Sequence, residues 1–364
     1  MNKKIFKNID WGILISSVIL LVIGLIALFS ASSNSEYDEF RKQLIFVLIS
    51  IPILILTIAI NYKKWVKLAL ILYGVLIVAL IGVLFTTPIN GATSWFIIGN
   101  FTLQPSEFAK IVMILFFSYL VCQFQKKDKK AINTWWKLGI LLLMAGIPIL
   151  LIIIQPDYGT SMAFVFAILS ILFVAGIDKK YIITCILLVI ILVPVMYFFV
   201  LPEHAKARIE VFLDPYSDPR GAGYNIIQSK LAIGAGELFG MGILNGNQTQ
   251  LGYLYPKTTD FIFAVISEEM GFIVASIVII FYVYILLRML KIAKECKDTL
   301  GAYIVTGVIG IFTFHVVQNI GMTMGLLPIT GVPLLLLSYG GSSLLTSVIL
   351  IGLVINVGAR KNLM

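Results

Sequence analysis

Trp11-Gly12-Ile13-Leu14-Ile15-Ser16-Ser17-Val18-Ile19-Leu20-Leu21-Val22-Ile23-Gly24-Leu25-Ile26-Ala27-Leu28-Phe29 runs without one charged side chain. A helix of this length approaches the roughly 30 Å of a bilayer's hydrocarbon core. The same pattern recurs down the chain. Spans are predicted at about 11–31, 44–60, 68–86, 106–124, 138–154, 159–176, 181–200, 260–288, 300–322 and 334–357. Pro156 and Gly159 separate the fifth from the sixth, because both residues break helices. Of the 364 residues, 60% are hydrophobic and only 12% charged, where a soluble domain averages about 25% charged. The expected fold is all-α: a polytopic membrane protein of about ten transmembrane helices in a single domain. No polar segment is long enough to build a separate soluble core, and the first span has no small-residue cleavage site that would mark it as a leader.

The net charge is +9, which raises the question of nucleic acid. The placement of the charges answers it. Lys3, Lys4 and Lys7 precede the first span, and Lys63, Lys64 and Lys67 follow the second. Lys126, Lys127, Lys129, Lys130 and Lys137 follow the fourth; Lys179 and Lys180 the sixth; Arg288, Lys291, Lys294 and Lys297 the eighth; Arg360 and Lys361 the tenth. Every second connection is basic, so both termini are expected in the cytoplasm. The partner of this charge is anionic lipid headgroups, not nucleic acid. Cys122, Cys185 and Cys296 all fall near predicted cytoplasmic helix ends, which argues against a disulfide framework. His204 and His315 are too far apart for a His-rich metal site.

The alternation places the long segment 201–259 outside, as a large extracellular loop between helices 7 and 8. It carries Lys206, Arg208, Arg220, Lys230 and Lys257. Long loops escape the positive-inside rule, so these residues read either as contacts to an anionic headgroup or phosphate, or as solvated charges. Tyr224–Ala235 sets Ile226, Ile227 and Leu231 against Asn225, Gln228, Ser229 and Lys230, a pattern for a short interfacial helix. The glycines at 234, 236, 240, 242 and 246 predict irregular loop; with no preceding strand they are not a dinucleotide fingerprint.

Ionisable residues inside spans are costly, and each therefore needs an explanation. Asp260 stands where the long loop enters the eighth span, shielded in part yet able to reach a substrate at the membrane surface. Its plain alternative is a helix N-cap. Glu107 and Lys110 share a face at i, i+3. Lys110 must find a partner: Glu107 locally, or Asp260 or Glu268 at long range. The pair is either functional or a structural ion pair. Glu268 and Glu269 lie about 12 Å below Asp260 along the helix. They are adjacent and point apart, one of them supporting the core or Lys110. His315, Gln318 and Asn319 form one polar face, read first as interhelical hydrogen bonding and second as a proton relay. Leu327-Pro328-Ile329-Thr330-Gly331-Val332-Pro333 and Ser338-Tyr339-Gly340-Gly341-Ser342-Ser343 either line the site or allow close packing. There is no Ser-His-Asp set, zinc motif or P-loop. One acidic base with basic phosphate contacts suits attack by a sugar hydroxyl on an anomeric carbon that carries a lipid pyrophosphate.

Several stretches, taken in order, resemble the shape, elongation, division and sporulation family. They are Asp10-Trp11; Gly91-Ala92-Thr93-Ser94-Trp95; Gln104-Pro105-Ser106-Glu107-Phe108-Ala109-Lys110; Gln155-Pro156-Asp157-Tyr158-Gly159-Thr160; Thr259 to Gly271; and the two stretches from Leu327 and Ser338. The resemblance spans nearly the whole chain. It implies ten spans and a peptidoglycan glycosyltransferase that polymerises lipid II on the outer face of the cytoplasmic membrane. It implies a class B penicillin-binding protein as the transpeptidase partner, and a divalent cation, Mg or Mn, with Asp260 as the candidate ligand. The family's essential aspartate maps to Asp260, its fourth-span pair to Glu107 and Lys110, and a further aspartate to Asp157. Asn245-Gly246-Asn247-Gln248-Thr249-Gln250-Leu251-Gly252 resembles the rod-shape branch rather than the division or sporulation paralogues; Gln248 from this stretch and Ser342 from the stretch at Ser338 complete the candidate set. Ser94, where many members have Arg, and Leu335, where many have Pro, depart from the pattern. The competing functions are a lipid II flippase, which needs polar groups through the full depth, and a non-catalytic scaffold, which does not need Asp260.

Overall fold

A computed structural model describes residues 7–88, 92–99, 101–199, 203–221 and 223–361, with the side chains of 98, 186, 189, 192, 193, 196, 203–205, 207 and 208 excepted. Lys3, Lys4, Gly91 and the side chains of His204 and Arg208 lie outside what is described. The helices are α1 (Trp11–Ala31), α2 (Asp38–Ala59), α3 (Tyr62–Gly82), α4 (Pro105–Phe124), α5 (Trp135–Ile154), α6 (Tyr158–Val174), α7 (Lys179–Phe199), α8 (Glu203–Leu213), α9 (Tyr224–Ala235), α10 (Asn247–Gln250), α11 (Ile262–Glu295), α12 (Thr299–Thr323) and α13 (Gly341–Arg360). A two-stranded antiparallel hairpin, β1 (Phe96–Ile98) and β2 (Phe101–Leu103), precedes α4. Among the described residues eight helices are long and apolar enough to cross a membrane; α6 is apolar but shorter, and α7 is 21 residues long. All three cysteines are free.

The first and fourth spans fall where expected, and the second and third begin earlier, at Asp38 and Tyr62. Asp38 and Glu39 open α2, where acidic side chains favour a helix N-terminus. Asn61 caps α3 by accepting from Lys63 N, so Lys63, Lys64 and Lys67 stand on helix, not in the loop before it. In α13 89% and in α12 72% of the apolar window is buried, against 22% in α2 and α3. The late helices are thus the core. α12 packs on α6, α4 and α11; α13 on α2; α11 on α1.

Two late elements differ from the continuous helices the apolar runs predict. The tenth helix begins at Gly341, not near 334. Pro328 and Pro333 cannot donate backbone hydrogen bonds, and residues 327–340 form a non-helical strap. Such backbone inside a membrane bundle requires internal partners. It finds them on α12: Gln318 donates to Pro328 O (2.8 Å), Asn319 to Val332 O (2.7 Å), and His315 Nδ1 bonds Pro333 O (2.9 Å). Gln43 and Tyr282 bind Ser338 O and Leu335 O, and Gln43 Oε1 accepts from Gly340 N. A β-carbon on Gly24 would fall 2.7 Å from Leu337 Cα, so glycine lets α1 touch the strap.

The second departure is a break in α11 at Gly271 (φ 77°, ψ −179°). The carbonyls of Glu268 and Glu269, released from the helix, accept from Met241 N and Gly242 N (2.9 and 3.0 Å). Phe272 N and Ile273 N donate to Glu237 O and Leu238 O. Residues 237–242 are therefore wedged into the interrupted helix. The glycine-rich stretch is irregular, as expected, but it is firmly docked. α9 is helical as predicted, with a different face: Ile226, Ser229 and Ala232 are buried, while Leu231 is exposed. Ser229 is drawn inward because its hydroxyl donates to Thr323 O (2.7 Å).

Candidate functional site

The end of the bundle that bears residues 92–104, 155–157, 236–261 and 325–340 gathers most of the residues singled out from sequence. Asp260 ends a turn from Pro256 to Phe261 and is half-buried. Three successive carbonyls of that turn are held. Thr258 O accepts from Tyr339 N (2.9 Å), Thr259 O from Ser338 Oγ (2.6 Å), and Asp260 O from Asn319 Nδ2 (2.9 Å). On the facing strap, a β-carbon on Gly331 would lie 3.5 Å from Asp260 Oδ2. Asp260 does not cap α11: Phe261 holds the N-cap position, without a side-chain cap bond.

Lys110 is fully buried and sits between two partners, Glu107 Oε1 at 2.7 Å and His315 Nε2 at 3.0 Å. Pro333 O can only accept, so His315 Nδ1 carries the proton and Nε2 offers its lone pair to the ammonium. Glu107 is the ion-pair partner; Glu268 is not. Glu107 Oε2 is buried without a hydrogen-bond partner. The strap is thus tied to α4 through His315 and Lys110.

Asp157 caps α6 through Oδ1, which accepts from Thr160 N (3.1 Å), while Oδ2 accepts from Gln104 Nε2 (2.9 Å). Gln104 N in turn donates to Ser342 Oγ (3.3 Å), joining the starts of α4, α6 and α13. The Asp157 residue retains some surface, yet its carboxyl lies deep among protein atoms. Burial pushes its pKa up, opposed by the Thr160 N–H and by Lys110, and reinforced by Glu107. Ser94 is buried and donates to Gln155 O (3.2 Å).

Glu268 and Glu269 serve the loop, in place of the expected role beside the core or Lys110. Glu268 accepts from Gln248 N (2.7 Å), Thr249 N (3.0 Å) and Thr249 Oγ1 (2.6 Å). Glu269 Oε1 accepts from Ser30 Oγ and Gln250 Nε2 (2.7 and 2.9 Å). Thr249 O then receives Lys257 Nζ (2.7 Å), three residues before Asp260. Burial lowers the Lys257 pKa, against the pull of Glu269, Glu39 and Glu268. Gln248 is placed through its backbone, and its Oε1 is buried without a partner. Arg220 and Lys230 are exposed, Lys206 is half-exposed, and Lys230 runs alongside Gly325 at the end of α12.

Among the described residues no group of three or more His, Cys, Asp or Glu is arranged to hold a metal ion. Asp260 supplies one carboxylate. The chain alone therefore does not fit a closed metal cage, although magnesium sites commonly combine one or two carboxylates with substrate phosphates. Asn319 and Ser338, singled out in sequence without any link to Asp260, are the side chains that hold its turn. Their signal was present in the i, i+3, i+4 polar set and in the serine after Leu337, but a hydrogen bond to a loop carbonyl leaves no mark in spacing.

A bundle of apolar helices with a non-helical strap and a docked loop closing over one carboxylate defines a polytopic membrane protein with a site at one end. The chain belongs to the FtsW, RodA and SpoVE cell cycle protein family, whose sequence profile matches residues 11–363. It is 35% identical over 370 residues to peptidoglycan glycosyltransferase MrdB of Escherichia coli K12, covering 100% of this chain and 98% of the relative. It is 31% identical to peptidoglycan glycosyltransferase RodA of Treponema pallidum, with 98% of each covered. A solved chain from a peptidoglycan synthase complex that coordinates polymerization and crosslinking superposes with a TM-score of 0.84, at 27% identity over 97% of this chain and 98% of that one.

Proposed function

We propose that this chain is a peptidoglycan glycosyltransferase of cell elongation that polymerises lipid II at the outer face of the cytoplasmic membrane. Both termini then lie in the cytoplasm, and the loop 201–259 lies outside. Asp260 is the general base. It takes the proton from the acceptor sugar's 4-hydroxyl; the oxygen bonds to the donor's anomeric carbon; the bond from that carbon to the lipid pyrophosphate breaks, and the pyrophosphate leaves. Basic loop residues offset its charge. The observation that carries this reading is the Asp260 turn: its backbone is held at three consecutive carbonyls while the residue as a whole is only half-buried. Preorganised geometry of this kind is what a single-base mechanism requires.

A divalent cation would have Asp260 as its protein ligand and would draw its other ligands from the pyrophosphate and water, supplying charge stabilisation there. The elongation role, as against that of a division or sporulation paralogue, rests on the Asn245–Gly252 stretch. The partner is a class B penicillin-binding protein, in keeping with the synthase complex that this fold resembles. A flippase would need a polar path through the bundle. The small cavity lined by Lys110 is otherwise apolar, walled by residues such as Met113, Phe164 and Ile311, and offers no such path. The test is lipid II polymerisation by the purified protein, alone and with its partner. Glycan strands that require both the protein and an intact Asp260 support the reading; lipid II translocation without polymer overturns it.

A further inference from the structure

We propose that Asn319 is a positioning residue for Asp260: its buried carboxamide fastens the turn that carries the carboxylate to the strap that faces it. This rests on the reading of Asp260 as general base. Asn319 is fully enclosed. A single nitrogen, Nδ2, spends both of its hydrogens, one on Asp260 O at 2.9 Å and one on Val332 O at 2.7 Å. The two carbonyls belong to segments 72 positions apart in the chain, and they meet on this one atom. Tyr339 and Ser338 hold the two preceding carbonyls, while Asn319 holds the carbonyl of the residue that bears the carboxylate.

The width of the gap follows from this contact. Val332 is next to Gly331, the strap residue that Asp260 Oδ2 faces across 3.5 Å to a virtual β-carbon. The bridge from Val332 O through Asn319 to Asp260 O therefore sets how far the carboxylate stands from the strap. Asparagine suits the place chemically. Aspartate has the same shape but offers two acceptors to two carbonyls; leucine offers nothing; glutamine is one carbon too long for an enclosed site. Loss of the two donors lets turn and strap separate. A 1 Å error in such a site costs about a hundredfold in rate. Asn319 is sealed from the surface, so it does not touch substrate. Its loss acts on kcat and spares KM.

The experiment uses the full chain with its transpeptidase partner and compares wild type, Asn319→Asp and Asp260→Asn in lipid II polymerisation. The expected result for Asn319→Asp is a fall in kcat of about tenfold to a hundredfold, with KM within about threefold of wild type. Hydrogen exchange should quicken across 256–262 while α12 stays protected. If Asn319→Asp does not fold, Ser338→Ala and Ser338→Thr decide the matter: the alanine should lower kcat and the threonine, which keeps the hydroxyl, should restore it. Wild-type kcat in Asn319→Asp, or equal kcat in both Ser338 variants where that pair is used, overturns the proposal. Wild-type kcat in Asp260→Asn overturns instead the general-base reading on which it stands.

Discussion

Lys110 donates its buried ammonium to His315 Nε2 across 3.0 Å, joining α4 to α12 at the level of the strap. The histidine passes the constraint on through Nδ1 to Pro333 O, and Glu107 supplies the counter-charge at 2.7 Å. The alternatives open for Lys110 in the sequence thus close on Glu107. The polar face of α12 makes one interhelical hydrogen bond, between His315 and Lys110, and otherwise clamps non-helical backbone at Pro328, Val332, Pro333 and Asp260.

Lys110→Met is therefore expected to cost stability as well as turnover. It leaves Glu107 buried without its cation, and breaking a buried pair from one side costs about 3–5 kcal/mol. The double variant Lys110→Met/Glu107→Gln should recover most of the thermal stability in detergent but not the polymerisation rate. Full turnover in the double variant would reduce the pair to scaffolding.

Glu268→Ala removes the acceptor for two backbone N–H groups and a threonine hydroxyl. Unsatisfied buried donors cost about 1–3 kcal/mol each. The 246–258 segment should become protease-sensitive, and lipid II polymerisation should fall with it. An unchanged cleavage pattern would show that the Gly271 break alone holds the loop.

Asp157 gives a pH signature. Its folded pKa is raised from 3.8 by burial. The stability it contributes is present below the unfolded value, is lost as pH rises through the raised folded value, and above that the ionised group is a net cost. Asp157→Asn should be relatively more stable than wild type at neutral pH than at pH 4, as read by thermal unfolding at both. A stability difference independent of pH would contradict the raised pKa.

At least one of Lys206, Arg208, Arg220 and Lys230 should contact the lipid pyrophosphate. Single alanine variants are expected to raise the lipid II concentration needed for half-maximal rate, and added salt should weaken the wild type, because exposed charge pairs are screened over about 8–10 Å. If all four alanine variants keep the wild-type dependence on lipid II, these are solvated loop charges.

The bundle was legible because twenty-residue apolar runs and alternating basic loops are strong, local signals. The starts of α2 and α3 were missed by several residues because polar first turns look like loop. The interruptions were harder. Gly271 sits in an apolar run that reads as one helix, and only the approach of 237–242 shows why the helix must open there. Leu334–Leu337 likewise reads as helix, yet Pro328, Pro333 and the clamps of α12 keep it a strap. In the site, the i, i+3 spacing offers Glu107 to Lys110 as one of three possible partners, and the structure selects it; the role of Glu268 is not legible because its partners, Gln248 and Thr249, arrive from a loop about twenty residues upstream. Asn319 illustrates the limit: its donors meet carbonyls, which every residue has.

The central claim is that Asp260 removes the acceptor proton. The direct measurement is the lipid II polymerisation rate of purified Asp260→Asn in complex with its transpeptidase partner, with insertion and partner binding verified on the same sample. The account predicts a folded, partner-bound protein with no detectable polymer. Glycan strands formed at the wild-type rate by that variant would contradict it.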